Sequence, residues 1–423
     1  MKILHLTAGT GAYHCGSCIR DNALVAALQE LGHEALLVPL YLPLVVDGAD
    51  CSQDQPLFLG GINTYLQQNM SLFRGAPGWL NRALDARPLL KRVAAAASFT
   101  DPAELGEMTL SLLDGVSGHQ SDEILRLAHW VRDEVRPDVV VMSNGLLAGI
   151  GEAIRTVTGI RVVCTLQSEL HFVDGLTEPY RAQVWGRMSE TLQKLDGVVA
   201  VSEYCRGQML QRWGDACPDM SVIHSGLFLE GFTPRALDER PPMVLGYFAR
   251  LSEEKGARVV LEAVHALRAR PGFTELHLEM GGSVAPGGQD FVDSLAADAA
   301  EYGQVRITEN LSHRDKVDLL RGMSVLCVPG RMHEVAALYA LEAMASGVPV
   351  VAAAEGGAGE LIRATGGGLT FRGGDTVDMI DTLAELLGDA ARQAELGASG
   401  RAGVMREYTA VAMAKRWVEF LDA

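Results

Sequence analysis

The sequence predicts an α/β fold of two tandem Rossmann-like domains facing each other across a cleft, and three observations carry that expectation. Short apolar runs rich in β-branched residues alternate with amphipathic stretches of helical period, the pattern of a parallel sheet wound by helices. The alternation breaks once, at the proline- and charge-rich stretch GFTPRALDERPP (231–242), and then resumes. A chain of 423 residues is also too long for one ordinary core and suits two domains of roughly 100–200 residues each.

In the first series KILHLT (2–7), EALLVPL (34–40), DVVVMS (138–143), RVVCTL (161–166) and GVVAVS (197–202) read as parallel strands, with helical stretches such as EILRLAHWVRDEV (123–135) between them. The second series runs MVLGYFA (243–249), ELHLEMG (275–281), VRITE (305–309), SVLCVPG (324–330) and VPVVAAA (348–354). The expected divisions are an N-terminal domain over 1–232, a C-terminal domain over 233–405, and a last helix over 406–423. That helix carries Met413, Trp417, Phe420 and Leu421 on one stripe, suited to packing back on the first domain. Ligands of open parallel sheets bind beyond the carboxyl ends of the strands, so two such domains supply two half-sites.

Bulk composition narrows the chemistry. The chain is 48% hydrophobic and 21% charged, as in a soluble globular protein. A net charge of -17 disfavours nucleic acid as a partner, because a phosphate backbone is repelled; a small anion held by local basic residues is not excluded. Seven scattered cysteines make no disulfide framework and point to a reducing, cytoplasmic setting. The opening MKILHLTAG reads as a buried strand, and no run of about 18 uncharged apolar residues is present to span a membrane.

The stretch GRMHEVAALYALEAMASGVPVV (330–351) places Glu334 before an alanine-rich helix expected from about Ala336 or Ala337, and Glu342 inside it. The free N–H groups of that first turn and the helix dipole make an anion site, with Glu342 roughly 8 Å along the axis. A phosphate-bearing ligand there sets hydroxyl-rich groups against the two carboxylates, a sugar on one side and a ribose on the other. In GYFARLSEEKGARVVLEAV (246–264), Arg250 and Lys255 flank a second helix start near Gly256. Two cations and two helix ends suit a diphosphate and its developing charge as it departs. Each residue also has a bland reading: solvated helix glutamates, and an Arg and a Lys paired with Glu253 or Glu254. No D-x-D is present, so this arrangement calls for no metal and no cofactor.

These motifs resemble the retaining glycosyltransferases of family 4 (glycosyl transferase group 1), which have the GT-B fold. RLSEEKG, VPGRMHEVAALYALEAMASGVPVVAAAEGGAGELI, GSCIRDNALVAALQELGHEA, AVSEYCRGQM and IHSGLFLEGFTP occur in the family's order, over nearly the whole chain. The resemblance implies a nucleoside-diphosphate sugar donor and a sugar, lipid-linked or other small-molecule acceptor. Glu334 matches the first glutamate of the family's E-x7-E, by the donor sugar, and Glu342 the second, on the ribose hydroxyls. Arg250 and Lys255 match the diphosphate-binding pair, and the backbone around Ala337 and Leu338 the phosphate-contacting amides, with alanine standing where glycine is usual. Gly16 matches the second glycine of a GG loop that approaches the diphosphate.

Two departures accompany the resemblance. Gln167 stands where the family often has a histidine that contacts the donor sugar or acceptor. It positions a hydroxyl but is no base, which leaves Glu169 and His171 as nearby candidates, although loop residues of these types are commonly solvated or capping. The family mechanism, in which the departing phosphate oxygen takes the acceptor proton, reduces the need for such a base. Cys15 replaces the first loop glycine and forms C-x-x-C with Cys18, compatible with a low-pKa redox pair or half a zinc site; with no second Cys/His pair of matching spacing, a packed loop is the simpler reading.

The segment PGWLNRALDARPLLKRVAAAA (77–97) interleaves Arg82, Arg87, Lys91 and Arg92 with Trp79 and leucines. A plain surface helix fits it better than peripheral membrane contact, given Pro88. Rival readings are a nucleotide-sugar epimerase on the same fold and a nucleotide-sugar-binding protein without activity. A NAD-dependent oxidoreductase fails because His14 stands where a third glycine belongs, and a hydrolase because no G-x-S-x-G occurs.

Overall fold

The computed structural model of the protein describes residues 1–9, 15–46, 49–52, 58–59, 102–167, 169–234, 243–285, 287–330 and 334–423. The basic stretch over 77–97 and most of the 231–242 stretch lie outside the described residues. Twelve described strands form two six-stranded sheets. The first holds β1 (Lys2–Thr7), β2 (Glu34–Pro39), β3 (Val139–Met142), β4 (Arg161–Leu166), β5 (Gly197–Ala200) and β6 (Met220–Val222). Their order is β2-β1-β3-β4-β5-β6, every pairing parallel.

The second sheet holds β7 (Val244–Phe248), β8 (His277–Gly282), β9 (Val305–Glu309), β10 (Val325–Val328), β11 (Val350–Ala353) and β12 (Gly368–Phe371). Its order is β12-β11-β10-β7-β8-β9, again parallel throughout. Central strands such as VVVM in β3, VLCV in β10 and VVAA in β11 are buried at every residue. Helices cover both faces of a parallel sheet, so its strands read as unbroken apolar runs. The strands read from the sequence are all present, with ends differing by a residue or two. β6 and β12 were not read; both are short edge strands with mixed burial, MSV and GLTF, and carry little apolar signal.

The chain separates into two compact units, one of residues 1–201, 205–223 and 414–423, the other of 202–204 and 224–413. Within the first, Arg161 Nη1 donates to the Leu421 carbonyl at 2.6 Å, near the end of the last helix (Ala410–Asp422). Trp417 on that helix is 1% exposed. Each sheet reverses its winding at one place, between β1 and β3 in the first and between β7 and β10 in the second. At such a switch point the loops after the two central strands diverge to opposite faces and leave room for a ligand.

Candidate functional site

Arg250, Lys255 and Glu334 all belong to the loops at the switch point of the second sheet. The loop after β7 carries Arg250 and Lys255 into α1 (Ala257–Arg268), whose N-cap is Gly256 at φ +76°. That left-handed turn suits glycine, which has no side chain to clash. Tyr247, inside β7, is 1% exposed and sends its hydroxyl up into the loop, 2.9 Å from the Arg250 carbonyl and 3.4 Å from that of Lys255. Burial pushes this phenol's pKa well above its ordinary value, so it stays a neutral donor and pins both ends of the cation loop.

The loop after β10 leads through Glu334 to α2 (Leu338–Ala345). Lys255 Nζ lies 2.5 Å from Glu334 Oε1, with the two side chains 13% and 19% exposed. Burial, followed by the negative charge of Glu334, pushes the Tyr339 phenol's pKa up. The Glu334 carbonyl accepts from the Gly357 amide at 2.5 Å. Lys255 thus holds the carboxylate, and Gly357 holds the backbone of the same residue. Arg250 is exposed and pairs with no carboxylate among the described residues. The pairing of Lys255 with Glu253 or Glu254 weighed from the sequence is absent from the described contacts; Glu253 lies 3.5 Å from Arg258 instead.

Ala337, the N-cap of α2, sits at φ 46°, ψ 52°, in the left-handed region, and is 2% exposed. An alanine in that conformation costs about 1–2 kcal/mol. A glycine in that position would carry no such strain. The helix starts at Leu338 rather than at Ala336 or Ala337, and its first amides remain available to an anion.

Glu342 is 7% exposed, and Lys316 Nζ lies 2.6 Å from its Oε1. Lys316 comes from the helix His313–Gly322 and stands 5.7 Å from the centre of the Phe232 ring. The bland expectation of a solvated Glu342 is thereby corrected: it sits in a buried ion pair. Sequence reasoning missed Lys316, since SHRDKVDLL reads as a polar surface helix, and missed Tyr247, which reads as an ordinary strand residue.

The remaining sequence-selected residues belong to the first unit. Gly16 is exposed and opens the helix Gly16–Glu30, with Cys15 as its N-cap. Gln167 is 5% exposed; its Nε2 donates to the Ser143 carbonyl at 2.6 Å, and its Oε1 accepts from Arg20 Nη1 at 3.3 Å. Glu169 is 1% exposed and accepts the backbone amides of Gly145 and Gln167 at 2.6 and 2.7 Å. Of the two bland readings of Glu169, solvated or capping, the structure shows capping: its carboxylate accepts backbone amides from two loops and ties them together. His171 is exposed. Beneath them Asp21 is fully buried, takes the Thr7 hydroxyl at 2.8 Å, and faces Arg20 at 3.2 Å and His5 at 3.3 Å. Burial pushes the Asp21 pKa up, but Arg20, His5 and Thr7 together outweigh it and hold the pKa below the ordinary value.

Among the described residues, no cluster of three or more His, Cys, Asp or Glu side chains is placed to hold a metal, and no helix is long and apolar enough to cross a membrane.

A family model described as "Glycosyl transferases group 1" matches residues 233–403, and one described as "Glycosyltransferase Family 4" matches residues 112–230. A D-inositol 3-phosphate glycosyltransferase 1 from Catenulispora acidiphila is 26% identical over 334 residues, covering 76% of this chain and 74% of that protein. Sucrose-phosphate synthase from Thermosynechococcus elongatus shares the fold with a TM-score of 0.70 at 19% identity, covering 100% of this chain and 98% of that one. Anabaena HepE, solved in complex with UDP-glucose, gives a TM-score of 0.66 at 15% identity, with 100% of each chain covered.

Proposed function

From the premise that the chain belongs to the GT-B-fold glycosyltransferases of group 1 and family 4, we propose that it moves a sugar from a nucleoside-diphosphate sugar to an acceptor hydroxyl, with retention at the anomeric carbon and without a metal. The observation that carries this reading is that Lys255 and Glu334 pair across the switch point of the second sheet, on the loops after β7 and β10, with Arg250 exposed on the first of them and the first turn of α2 beside the second.

In this reading Arg250 and Lys255 grip the diphosphate, and the amides at Ala337 and Leu338 add donors to the same oxygens. Charge that builds on the departing phosphate is then met by groups already in place, which lowers the barrier without reorganisation. The two cations supply the positive charge that a metal provides elsewhere. Glu334 faces the sugar. Glu342, which the Lys316 ammonium holds in place, receives the ribose hydroxyls. Gln167 has no proton-accepting nitrogen, and Glu169 is committed to backbone amides. The acceptor proton therefore passes to the departing phosphate oxygen as the bond from the anomeric carbon to that oxygen breaks and the bond to the acceptor oxygen forms on the same face. The name of the Catenulispora relative makes a polyol or its phosphate the acceptor class to try first.

Calorimetric titration with UDP, GDP and ADP tests the donor site. One of them is expected to bind, and Arg250→Ala and Lys255→Ala are each expected to weaken it at least about tenfold, which is about 1.4 kcal/mol, while the melting temperature holds. Unchanged affinity in both variants removes the assignment. With donor and acceptor in hand, the anomeric configuration of the product tests retention, and turnover after chelator treatment tests independence of metal.

A further inference from the structure

Cys15 and Cys18 carry chemistry that glycosyl transfer does not use. Cys15 is the N-cap of the helix Gly16–Glu30, in an extended conformation at φ -116°, ψ 126°, and Cys18 lies in the first turn. An extended cap followed by helix brings the side chains of the N-cap and of the third helical residue to one side of the helix start. The exposures differ in a useful sense: Cys15 is half-buried and open to a small reagent, whereas Cys18 is 2% exposed. Both are unbridged in the structure.

We propose that Cys15 and Cys18 form a reversible thiol–disulfide site, with Cys15 as the attacking sulfur and Cys18 as the resolving one, and with low-molecular-weight disulfides as the oxidant. The Cys15 thiolate attacks one sulfur of the small disulfide, forming a mixed disulfide and releasing one thiolate. Cys18 then gives its proton to a departing thiolate and attacks the Cys15 sulfur, releasing the second small thiol. Two protein thiols are oxidised to one disulfide, and one small disulfide is reduced to two thiols.

The local electrostatics support these roles. The neighbouring Cys18 thiol, with the backbone amides of Cys18 and Ser17, outweighs burial and draws the Cys15 pKa down to about 6, so the attacking sulfur is largely thiolate at neutral pH. The same contact and burial push the Cys18 thiol up, keeping it protonated until Cys15 is consumed. Elsewhere burial pushes the Cys164, Cys217 and Cys327 thiols up.

The test uses the purified full chain and glutathione disulfide, and needs neither nucleotide nor acceptor, so its failure says nothing about the transferase reading. After incubation, acid quench and alkylation, the peptide holding both cysteines is expected to be lighter by two hydrogens and unalkylated, and to recover both thiols under dithiothreitol. Cys18→Ala is expected to trap glutathione on Cys15, and Cys15→Ala to leave Cys18 unmodified. In untreated wild-type protein, alkylation of Cys15 against pH is expected to reach half its maximum near pH 6. Persistent glutathione on Cys15 of the wild type, two alkylated thiols after oxidant, or a half-maximum in the ordinary thiol range near about 8.5 overturns the proposal.

Discussion

Both sheets end in a cluster of charged and polar side chains near the switch point, yet the clusters differ in burial. In the first unit Asp21, Arg20, Gln167 and Glu169 are 0%, 2%, 5% and 1% exposed, and Gln167 and Glu169 bond largely to backbone. In the second, Lys255 and Glu334 remain partly open and Arg250 is exposed. A fully buried charge must find its partners inside the fold, because leaving it unmatched costs several kcal/mol. A pair at the edge of solvent pays less to exchange partners and is free to meet an incoming anion. Burial thus separates a cluster satisfied within the fold from one that stays partly open to solvent.

Breaking the buried cluster is expected to have the largest effect. Asp21→Ala strips Arg20 of its counter-charge and Thr7 of its acceptor, and is expected to cost about 3–5 kcal/mol of unfolding free energy, read by urea denaturation. A cost near that of a surface substitution would erase the contrast between the two clusters.

The Lys316–Glu342 pair sharpens the contrast, because it is buried although it belongs to the second unit. Lys316→Met alone is expected to cost about 3 kcal/mol by removing the ammonium beside a buried carboxylate, whereas Lys316→Met with Glu342→Met is expected to recover most of that. Equal costs for the single and double variants would show that the charge itself is not what the site strains to satisfy.

At the open cluster the expected order reverses. Lys255→Ala is expected to reduce transfer about 10²-fold with little change in melting temperature. If stability falls and nucleotide affinity does not, Lys255 is a structural residue.

Acid provides a graded version of the first experiment. The Asp21 pKa is below its unfolded value, so its contribution to stability is full above the unfolded pKa of about 3.9 and is lost as pH falls through the folded pKa. The stability difference between wild type and Asp21→Asn is therefore expected to be constant near neutrality and to shrink below about pH 4. A difference that grows in acid contradicts the depressed pKa.

The smallest effect concerns backbone alone. Ala337→Gly relieves a left-handed alanine and is expected to stabilise by about 1 kcal/mol after the added entropy of the unfolded glycine, seen as a small rise in Tm. A fall in Tm would mean that the Ala337 methyl packs more strongly than the backbone is strained.

Much of this was legible before any coordinates. Ten of the twelve strands announce themselves as apolar runs because parallel sheets are covered on both faces. β6 and β12 did not, since an edge strand of three or four residues buries too little to leave a pattern. Arg250, Lys255, Glu334 and Glu342 stood out through their spacing beside helix starts. A capping role for Glu169 was open from the sequence, but nothing in QSELHF reveals that the Gly145 amide, 24 positions away, would be its partner.

Local pattern by itself determined the strands, the two series of them, and which residues carry charge near a helix N-terminus, because periodicity and composition report on neighbours along the chain. Only the tertiary structure decided who meets whom. Lys255 pairs with Glu334 across 79 positions, Lys316 with Glu342 across 26, and Arg20 with Gln167 across 147. The first of these contacts exists because β7 and β10, far apart in sequence, lie side by side in the sheet. Strand order is set by the packing of the whole domain, so the partners of a charge, and with them its burial and its role, follow from the fold rather than from the residues around it.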